Sequence, residues 1–344
     1  MGAGMAAEEA EPCAVEDASA QPMHGELLAR VLERDNLQRA LKQVRRNKGA
    51  PGVDGMTVDE LPVHLKDHWL EIRASIVEGR WRPQPVRRVE IPKADGRKRV
   101  LGIPTVLDRF IQQAIAQVVQ AQWEPHFHPH SYGFRPRRSA HQAVRELQAL
   151  VREGRDWVVD LDLESFFDRV NHDRLMSRLG RHVDDVQLLR LIRCFLRAGA
   201  WVDGHHEAAT MGVPQGGPLS PVLANVVLDE MDWELHRRGH RFARYADDCN
   251  IAVKSERAGE RVMRSVTRWI EDSLRLTVNS RKSAVDRPWN RIPGLHAQPP
   301  RQGFEGGRQG DRQTQGSRAS RSVQPSRIHA KRSSRHYGSI LSPA

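Results

Sequence analysis

Cysteine and tyrosine are scarce in this sequence of 344 residues, with three of each. Cys13, Cys194 and Cys249 lie far apart and show none of the short spacings of zinc ligands, so neither a disulfide framework nor a cysteine-based metal site is expected. Such cysteine usage is typical of a reducing compartment, and we expect a cytoplasmic protein. Long apolar runs are also missing, and the acidic, alanine-rich start does not resemble a signal peptide, so no membrane partner is expected.

Acidic residues are in deficit, and the formal net charge is +11. The excess is unevenly distributed. Residues 291–344 contain nine Arg and one Lys against Glu305 and Asp311, whereas residues 1–22 contain five acids and no Lys or Arg. The part between them is only moderately basic. The composition therefore favours a polyanionic partner without identifying it.

Composition and periodicity divide the chain into four stretches. Residues 1–23 are small, polar and acidic, and we expect them to be disordered. Helical and hairpin patterns occupy residues 24–156, and a buried strand opens the next stretch, residues 157–290, which alternates strands with helices. Residues 291–344 are rich in Arg, Gln, Gly, Ser and Pro without any period, which predicts a second disordered segment.

The segment Tyr245-Ala246-Asp247-Asp248 places two adjacent carboxylates between apolar flanks. Because apolar residues precede and follow the acids, the pattern predicts a strand, a tight turn and a second strand. Paired carboxylates that lose water repel each other, and they persist where a divalent cation or a proton offsets their charge. An acidic surface turn is the common alternative when such a pair is considered alone.

A second acidic pair lies in the apolar segment Trp157-Val158-Val159-Asp160-Leu161-Asp162-Leu163. Asp160 and Asp162 are two residues apart in a predicted strand and therefore share a face. Acids within a core-like strand are costly unless they bind something, so this segment is a candidate second half of a metal site.

Several other segments have patterns that suit nucleic-acid or phosphate contact, and each has a plain structural alternative. Residues 86–101 predict a hairpin with an Asp-Gly turn and basic residues on both arms. The loop of residues 131–138 mixes aromatic and basic side chains and leads into a capping box at Ser139 and Gln142. Asp108 is expected to cap an amphipathic helix, and residues 212–221 form a stiff turn that opens another helix.

Taken in order, these segments resemble the reverse transcriptase domain of bacterial group II intron-encoded proteins, the reverse transcriptase/maturases. The resemblance spans about residues 26 to 290 and depends on seven ordered motifs. They are Asn47-Lys48-Gly49-Ala50-Pro51-Gly52-Val53-Asp54-Gly55, Ile91-Pro92-Lys93 through Leu101-Gly102-Ile103-Pro104-Thr105, Ser131-Tyr132-Gly133-Phe134-Arg135-Pro136, the Asp162 strand, Pro214-Gln215-Gly216-Gly217-Pro218-Leu219-Ser220-Pro221, Tyr245-Ala246-Asp247-Asp248, and Asn279 to Ser283.

The resemblance implies a right-hand polymerase of the α+β class, with an antiparallel palm sheet packed on helices. Residues 24–156 would be mainly fingers with an N-terminal extension, and residues 157–290 mainly the catalytic palm. Asp162, Asp247 and Asp248 would be the catalytic set and would ligate two Mg²⁺ ions. Asp160 falls where the family tolerates other residues.

The resemblance also implies a nucleotide-binding set. Lys93 and Arg99 resemble the fingers residues that grip the triphosphate, and Phe167 resembles the aromatic residue that crowds the sugar 2′ position. Gln215 and Gly216 resemble the turn that packs against nucleotide and template. Lys282 occupies the place of a basic residue near the β,γ-phosphates, where it could donate a proton to the leaving group.

The sequence departs from the family after Lys282, where the family continues with a strand close to Phe-Leu-Gly-Phe and then a helical thumb. Here residues 292–298 read Ile-Pro-Gly-Leu-His-Ala-Gln, and the expected thumb pattern is absent. These residues can be encoded as ATT CCT GGG CTT CAC GCT CAG, which one base later reads Phe-Leu-Gly-Phe-Thr-Leu. We therefore interpret residues 291–344 as an out-of-frame tail after a frameshift near codon 291. Codons that cannot give Phe-Leu-Gly-Phe in the shifted frame would exclude this interpretation.

The function expected from the resemblance is RNA-directed DNA synthesis for a mobile group II intron. The expected partners are an RNA template, a DNA primer, dNTP substrates and the intron RNA itself. Two alternatives remain open at this point. The chain could be an RNA-binding splicing cofactor, a maturase that does not use polymerase chemistry, or it could be an inactive truncated remnant.

Overall fold

The computed structural model describes residues 25–92, 98–202 and 204–288, and it is a mixed structure of helices and two four-stranded sheets. The expected α+β class is confirmed. Lys93 and the two segments predicted to be disordered, residues 1–23 and 291–344, lie outside the described residues. The helices are α1 Glu26–Val31, α2 Arg34–Asn47, α3 Leu61–Val77, α4 Val106–Trp123, α5 Ala140–Arg152, α6 His172–Leu179, α7 Val186–Arg197, α8 Ser220–Arg237 and α9 Glu256–Trp269. The strands are β1 Val86–Pro92, β2 Lys98–Ile103, β3 Trp157–Leu161, β4 Ala200–Val202, β5 His205–Glu207, β6 Arg241–Tyr245, β7 Asp248–Val253 and β8 Ala284–Asp286.

The sheet that corresponds to the expected palm sheet has the strand order β6-β7-β3-β8, and its neighbouring strands are antiparallel. β6 and β7 form a hairpin, whereas β3 lies beside β7 by a pairing between residues about 90 positions apart. β3 and β7 are the two central strands of this sheet. Asp162 directly follows β3, and Asp248 is the first residue of β7.

Side chains alternate between the two faces of this sheet because successive residues in a strand point to opposite sides. Val159, Leu161 and Ile251 lie in the main core together with residues of α6, α8 and α9. Val158 and Ala252 belong to a second apolar cluster on the other face, where α5 packs through residues such as Leu147. The sheet is thus covered by helices on both faces.

The second sheet has the order β2-β1-β4-β5 and contains the predicted hairpin. β1 and β2 pair antiparallel, with Ile91 opposite Arg99, and β4 joins β1 in a parallel pairing. The side chain of Arg99 lies outside the described part of the structure. β4 and β5 are three residues long each, so they exist as strands because β1 offers a free edge.

Helix α4 lies at the centre of the helical part, with twelve of its 18 residues buried. It contacts α1, α2 and α8 and so connects the N-terminal helices to the helix that supports the acidic turn. The N-cap of the helix is Thr105, whose side chain accepts a hydrogen bond from the Asp108 backbone N–H. The expectation that Asp108 is the cap is therefore wrong. Across the described ranges, no helix is both long and apolar enough to cross a bilayer.

Candidate active site

The acidic turn is a hairpin with a loop of two residues, Ala246 and Asp247, between the paired residues Tyr245 and Asp248. Ala246 has a φ of 58°, in the left-handed region that residues with a Cβ atom rarely adopt. Two-residue hairpin loops of types I′ and II′ require a positive φ at the first loop position, where Asn, Asp or Gly is preferred. The strand, turn and strand predicted from the sequence are therefore present, with alanine in a strained position.

Asp162 follows β3 directly, and the strand register brings it toward this turn. Asp160 pairs with Asn250 and Leu161 with Cys249, so the next step of the antiparallel register sets residue 162 opposite Asp248. The Asp162 backbone N–H donates to Ser283 Oγ at 3.0 Å, and its carbonyl oxygen accepts from the Asn279 N–H at 2.8 Å. The segment from Asn279 to Ser283 thus fixes the backbone of Asp162.

The same segment supplies the basic side chain expected at the site. Lys282 Nζ lies 3.0 Å from Asp162 Oδ2 and 3.3 Å from Asp162 Oδ1. Both side chains are partly exposed, at 27% and 23%. The Lys282 amine is partly exposed and donates to a candidate metal ligand. It therefore remains within reach of a phosphate that approaches the Asp162 carboxylate.

Asp248 lies close enough to the other acids of the site for their charges to affect its pKa. Burial, together with the neighbouring carboxylates of Asp247, Asp160 and Asp162, raises the pKa of Asp248 from 3.8 to about 7, while Lys282 opposes them. An acid in this environment carries a large penalty for ionisation. Asp160, which the family resemblance set aside, therefore contributes to the same negative field as the predicted ligands.

The residues present suit a hard divalent cation in chemistry, although they do not form a closed cage. Carboxylate oxygens are the ligands that Mg²⁺ prefers, and the raised pKa of Asp248 reflects negative charge that such a cation would offset. Within the described residues, no three His, Cys, Asp or Glu side chains converge closely enough to hold a metal by themselves. Mg²⁺ commonly keeps several waters and completes its coordination with substrate phosphates, so an open carboxylate set is compatible with it.

Three of the predicted nucleotide-binding residues line one cavity of 470 Å³. Phe167 lies in a short 3₁₀ helix, and its carbonyl oxygen accepts from the Val213 N–H at 2.7 Å. Gln215 and Gly216 also form part of the cavity wall. The remaining lining residues come from the end of α2, from α4, from the loop at Phe134 and from the start of α8: Val44, Asn47, Gly49, Arg109, Gln113, Phe134, Gly217, Pro218, Ser220 and Pro221.

The turn at Gln215 is also attached to the β1–β2 hairpin. The Gly102 N–H donates to the Gln215 carbonyl oxygen at 2.8 Å, and Gly216 has a φ of 128°. A Cβ atom at position 216 would lie 2.6 Å from the Gly102 carbonyl oxygen, so only glycine fits. The β1–β2 hairpin, which was predicted to carry Lys93 and Arg99, is therefore attached to the wall of this cavity.

Sequence reasoning missed a buried polar network behind the turn. Arg244 and Asp232 are both 0% exposed, and they form a bidentate pair in which Nε and Nη2 donate to the two carboxylate oxygens at 2.7 and 2.6 Å. Arg244 Nη1 donates to Asn225 Oδ1 at 3.0 Å and to the Ala246 carbonyl oxygen at 2.7 Å. The available signal was an arginine inside an apolar strand and an aspartate inside an apolar helix, since buried charges are found in pairs.

Comparisons with known proteins identify the family of the chain. The profile of the family described as Reverse transcriptase (RNA-dependent DNA polymerase) matches residues 91–299. The chain is 34% identical to Protein YkfC of Escherichia coli (strain K12) over 300 residues, which cover 75% of this chain and 78% of YkfC. It is 37% identical to the group II intron-encoded protein LtrA of Lactococcus lactis subsp. cremoris over 196 residues, which cover 56% of this chain but only 32% of LtrA. Among solved structures it is similar to a chain of the partial Cas6-RT-Cas1–Cas2 complex, at 23% identity and a TM-score of 0.43, covering 72% of this chain and 42% of that one.

Proposed function

Since the chain belongs to the reverse transcriptase (RNA-dependent DNA polymerase) family, we propose that it extends a DNA primer on an RNA template as the polymerase domain of a group II intron-encoded protein. The observation that carries this proposal is the gathering of Asp162, Asp248 and Lys282 at the end of the central strands, although they come from three distant parts of the sequence. The similarity to LtrA supports the group II intron as the source of the partner RNA.

The family uses divalent metal ions, and we propose that Asp162, Asp247 and Asp248 hold two Mg²⁺ ions. When bound, such ions favour deprotonation of the primer 3′-hydroxyl and neutralise the charge that develops on the leaving pyrophosphate. The protein's own contribution is to keep two of these carboxylates on adjacent central strands. Lys282, which contacts Asp162, offsets part of their charge.

The proposed roles of the remaining residues follow from where they lie. Lys282 Nζ, which donates to Asp162, is a candidate proton donor to the pyrophosphate. Phe167 in the cavity wall would exclude a 2′-hydroxyl and so favour dNTP over rNTP, while Gln215 and Gly216 would pack against the nucleotide and template. For Lys93 and Arg99, the proposed grip on the triphosphate depends on the family resemblance and on their hairpin, which is attached to that wall through Gly102.

Primer extension tests the proposal. With an RNA template, a DNA primer, dNTPs and Mg²⁺, we expect template-directed products that disappear when EDTA is added and in the Asp247→Ala variant. The variant must bind the same primer–template, which a filter-binding assay checks, so that the loss reports chemistry and not binding.

Two other outcomes would contradict the proposal and select its alternatives. Absence of extension by the unaltered chain together with retained, specific binding of intron RNA would favour a splicing cofactor. Absence of both extension and RNA binding would favour an inactive remnant.

A further inference from the structure

Arg244 makes three hydrogen bonds beyond its pair with Asp232, and one of them reaches the acidic turn. The bidentate contact with Asp232 already satisfies the charge of the guanidinium, and Ser131 Oγ accepts a further bond from Nη2 at 2.7 Å. Nη1 nevertheless reaches forward two residues and donates to the carbonyl oxygen of Ala246 at 2.7 Å. A fully buried guanidinium therefore holds the backbone of the turn that carries Asp247 and Asp248.

The residue that it holds is the strained one. Ala246 has its φ at 58°, which costs energy in any residue with a Cβ atom and costs glycine nothing. Its side chain is buried, at 6% exposure, so the conformation is not a consequence of solvent contact. Residues kept in such regions persist only when the surroundings impose them.

A second contact packs against the same residue. The backbone of Gly133 lies so close to the turn that a Cβ atom there would be 2.1 Å from the Ala246 nitrogen. The Gly133 carbonyl oxygen accepts from Asn225 Nδ2 at 2.9 Å, and the Asn225 side-chain oxygen accepts from Arg244. Arg244, Asn225 and Gly133 thus form one connected group around Ala246, which we call the Ala246 clamp.

We propose that the Ala246 clamp is a positioning device, which forces Ala246 into the left-handed conformation and thereby aims the carboxylates of Asp247 and Asp248 toward Asp162. This inference rests on the proposed function, because it assigns the strain in the turn to cation binding. Arg244 touches neither the cation nor the substrate in this view and acts through the turn. The alternative is that the buried pair only fastens β6 to α8.

The conservative variant Arg244→Lys separates the two roles. Lysine keeps the positive charge opposite Asp232, but a single ammonium cannot reproduce the planar fork that reaches Asp232, Asn225 and Ala246 together. We expect kcat for primer extension to fall about 100-fold with an unchanged KM for dNTP, since small misplacement of reacting groups has effects of this size. Without substrate, we expect weaker Mn²⁺ binding by electron paramagnetic resonance and faster amide hydrogen exchange in residues 245–249.

A rescue variant makes the test specific to the turn. In Arg244→Lys, the further change Ala246→Gly removes the Cβ that disfavours the left-handed conformation. We expect it to restore about tenfold of the lost kcat and Mn²⁺ affinity, the factor that corresponds to the left-handed penalty of one residue. If Arg244 only fastens β6 to α8, the glycine gives no recovery, and that result would overturn the proposal.

Arg178→Lys is the matched control. Arg178 is also largely buried, and it joins α6 to α8 through Glu230 and the Val227 carbonyl oxygen, but none of these bonds reaches Ala246 or the loop of residues 131–138. We expect a lower Tm with unchanged Mn²⁺ affinity, whereas equal losses of Mn²⁺ affinity at equal loss of Tm in the two variants would contradict the clamp. If the unaltered chain neither extends primers nor binds Mn²⁺, the proposed function fails by itself. In that case the amide hydrogen exchange rates of residues 245–249 in Arg244→Lys still test the clamp, and rates no faster than in the unaltered chain would contradict it.

Discussion

The Asp248→Asn variant is expected to be more stable than the unaltered chain at pH 8 without metal, and at the same time inactive. Burial and three neighbouring carboxylates raise the pKa of Asp248 to about 7, so its ionised form is unfavourable in the folded state. Asparagine has nearly the same shape and no charge. The variant should therefore gain roughly 2–4 kcal/mol in the free energy of unfolding, because one pKa unit corresponds to about 1.4 kcal/mol.

The same change should reduce primer extension by at least about 1,000-fold, since the proposed metal ligand supplies several kcal/mol of charge stabilisation. Stability is measured by urea unfolding in EDTA, and activity by single-turnover extension with Mg²⁺. A gain in stability together with a loss of activity would show that the Asp248 carboxylate serves function and not the fold. An Asp248→Asn variant that loses both would show that the carboxylate supports the fold.

The stability difference should also depend on pH in a defined direction. The folded pKa of Asp248 lies above the unfolded value of 3.8, so the folded state binds more protons between about pH 4 and pH 7 and stability falls as the pH rises through that window. Above pH 7 the penalty is complete, and near pH 4 the two proteins should differ little. Burial also raises the pKa of Asp229 to about 7, but that group is common to both proteins and cancels in the difference. Added Mg²⁺ should narrow the gap at pH 8, because it stabilises only the folded protein that binds it.

Local sequence signals predicted the elements whose determining residues lie within the element itself. Asp247 lies in the predicted turn and Asp248 begins the strand that follows it, and the capping box at Ser139 and Gln142 begins α5 as expected. At α4 the helix starts three residues before the predicted cap. Thr105 provides the capping oxygen, and Asp108 accepts from the Thr105 hydroxyl at 2.8 Å instead. A Thr three residues before an acid is itself an N-cap signal, which the expectation for Asp108 overlooked.

Elements that depend on distant partners were missed. α3 has apolar residues on its exposed side, among them Leu70 at 82% exposure, which obscures the buried side formed by Leu61, Ile72 and Ile76. β4 and β5 have only three residues each and need the edge of β1. The approach of Asp162 to the turn follows from the long-range pairing of β3 with β7, which no local pattern encodes. The acids of the β3 segment had suggested the second half of a metal site, and the family resemblance selected Asp162, but the assignment of the metal ligands stays a prediction.

Removal of Asp232 is expected to destabilise the protein more than any surface change. Asp232→Ala leaves the Arg244 guanidinium buried without its bidentate partner, and breaking a buried pair from one side typically costs about 3–5 kcal/mol. For a chain of this size that corresponds to a fall in Tm of roughly 10 °C. The matched control is Arg237→Ala, which removes an exposed partner of Glu234 and should change stability by about 0–1 kcal/mol.

The ionisation of Asp229 determines how much of the stability loss in Asp232→Ala is measured. Asp232 helps to raise the pKa of Asp229, and Arg244 opposes it, so all three groups lie within one buried field. Without Asp232 the Asp229 carboxyl can ionise more readily and offset part of the charge on Arg244. The double variant Asp229→Asn with Asp232→Ala should therefore be less stable than Asp232→Ala at pH 8, although Asp229→Asn alone should be neutral or stabilising. Additive effects of the two changes in urea unfolding would contradict this coupling.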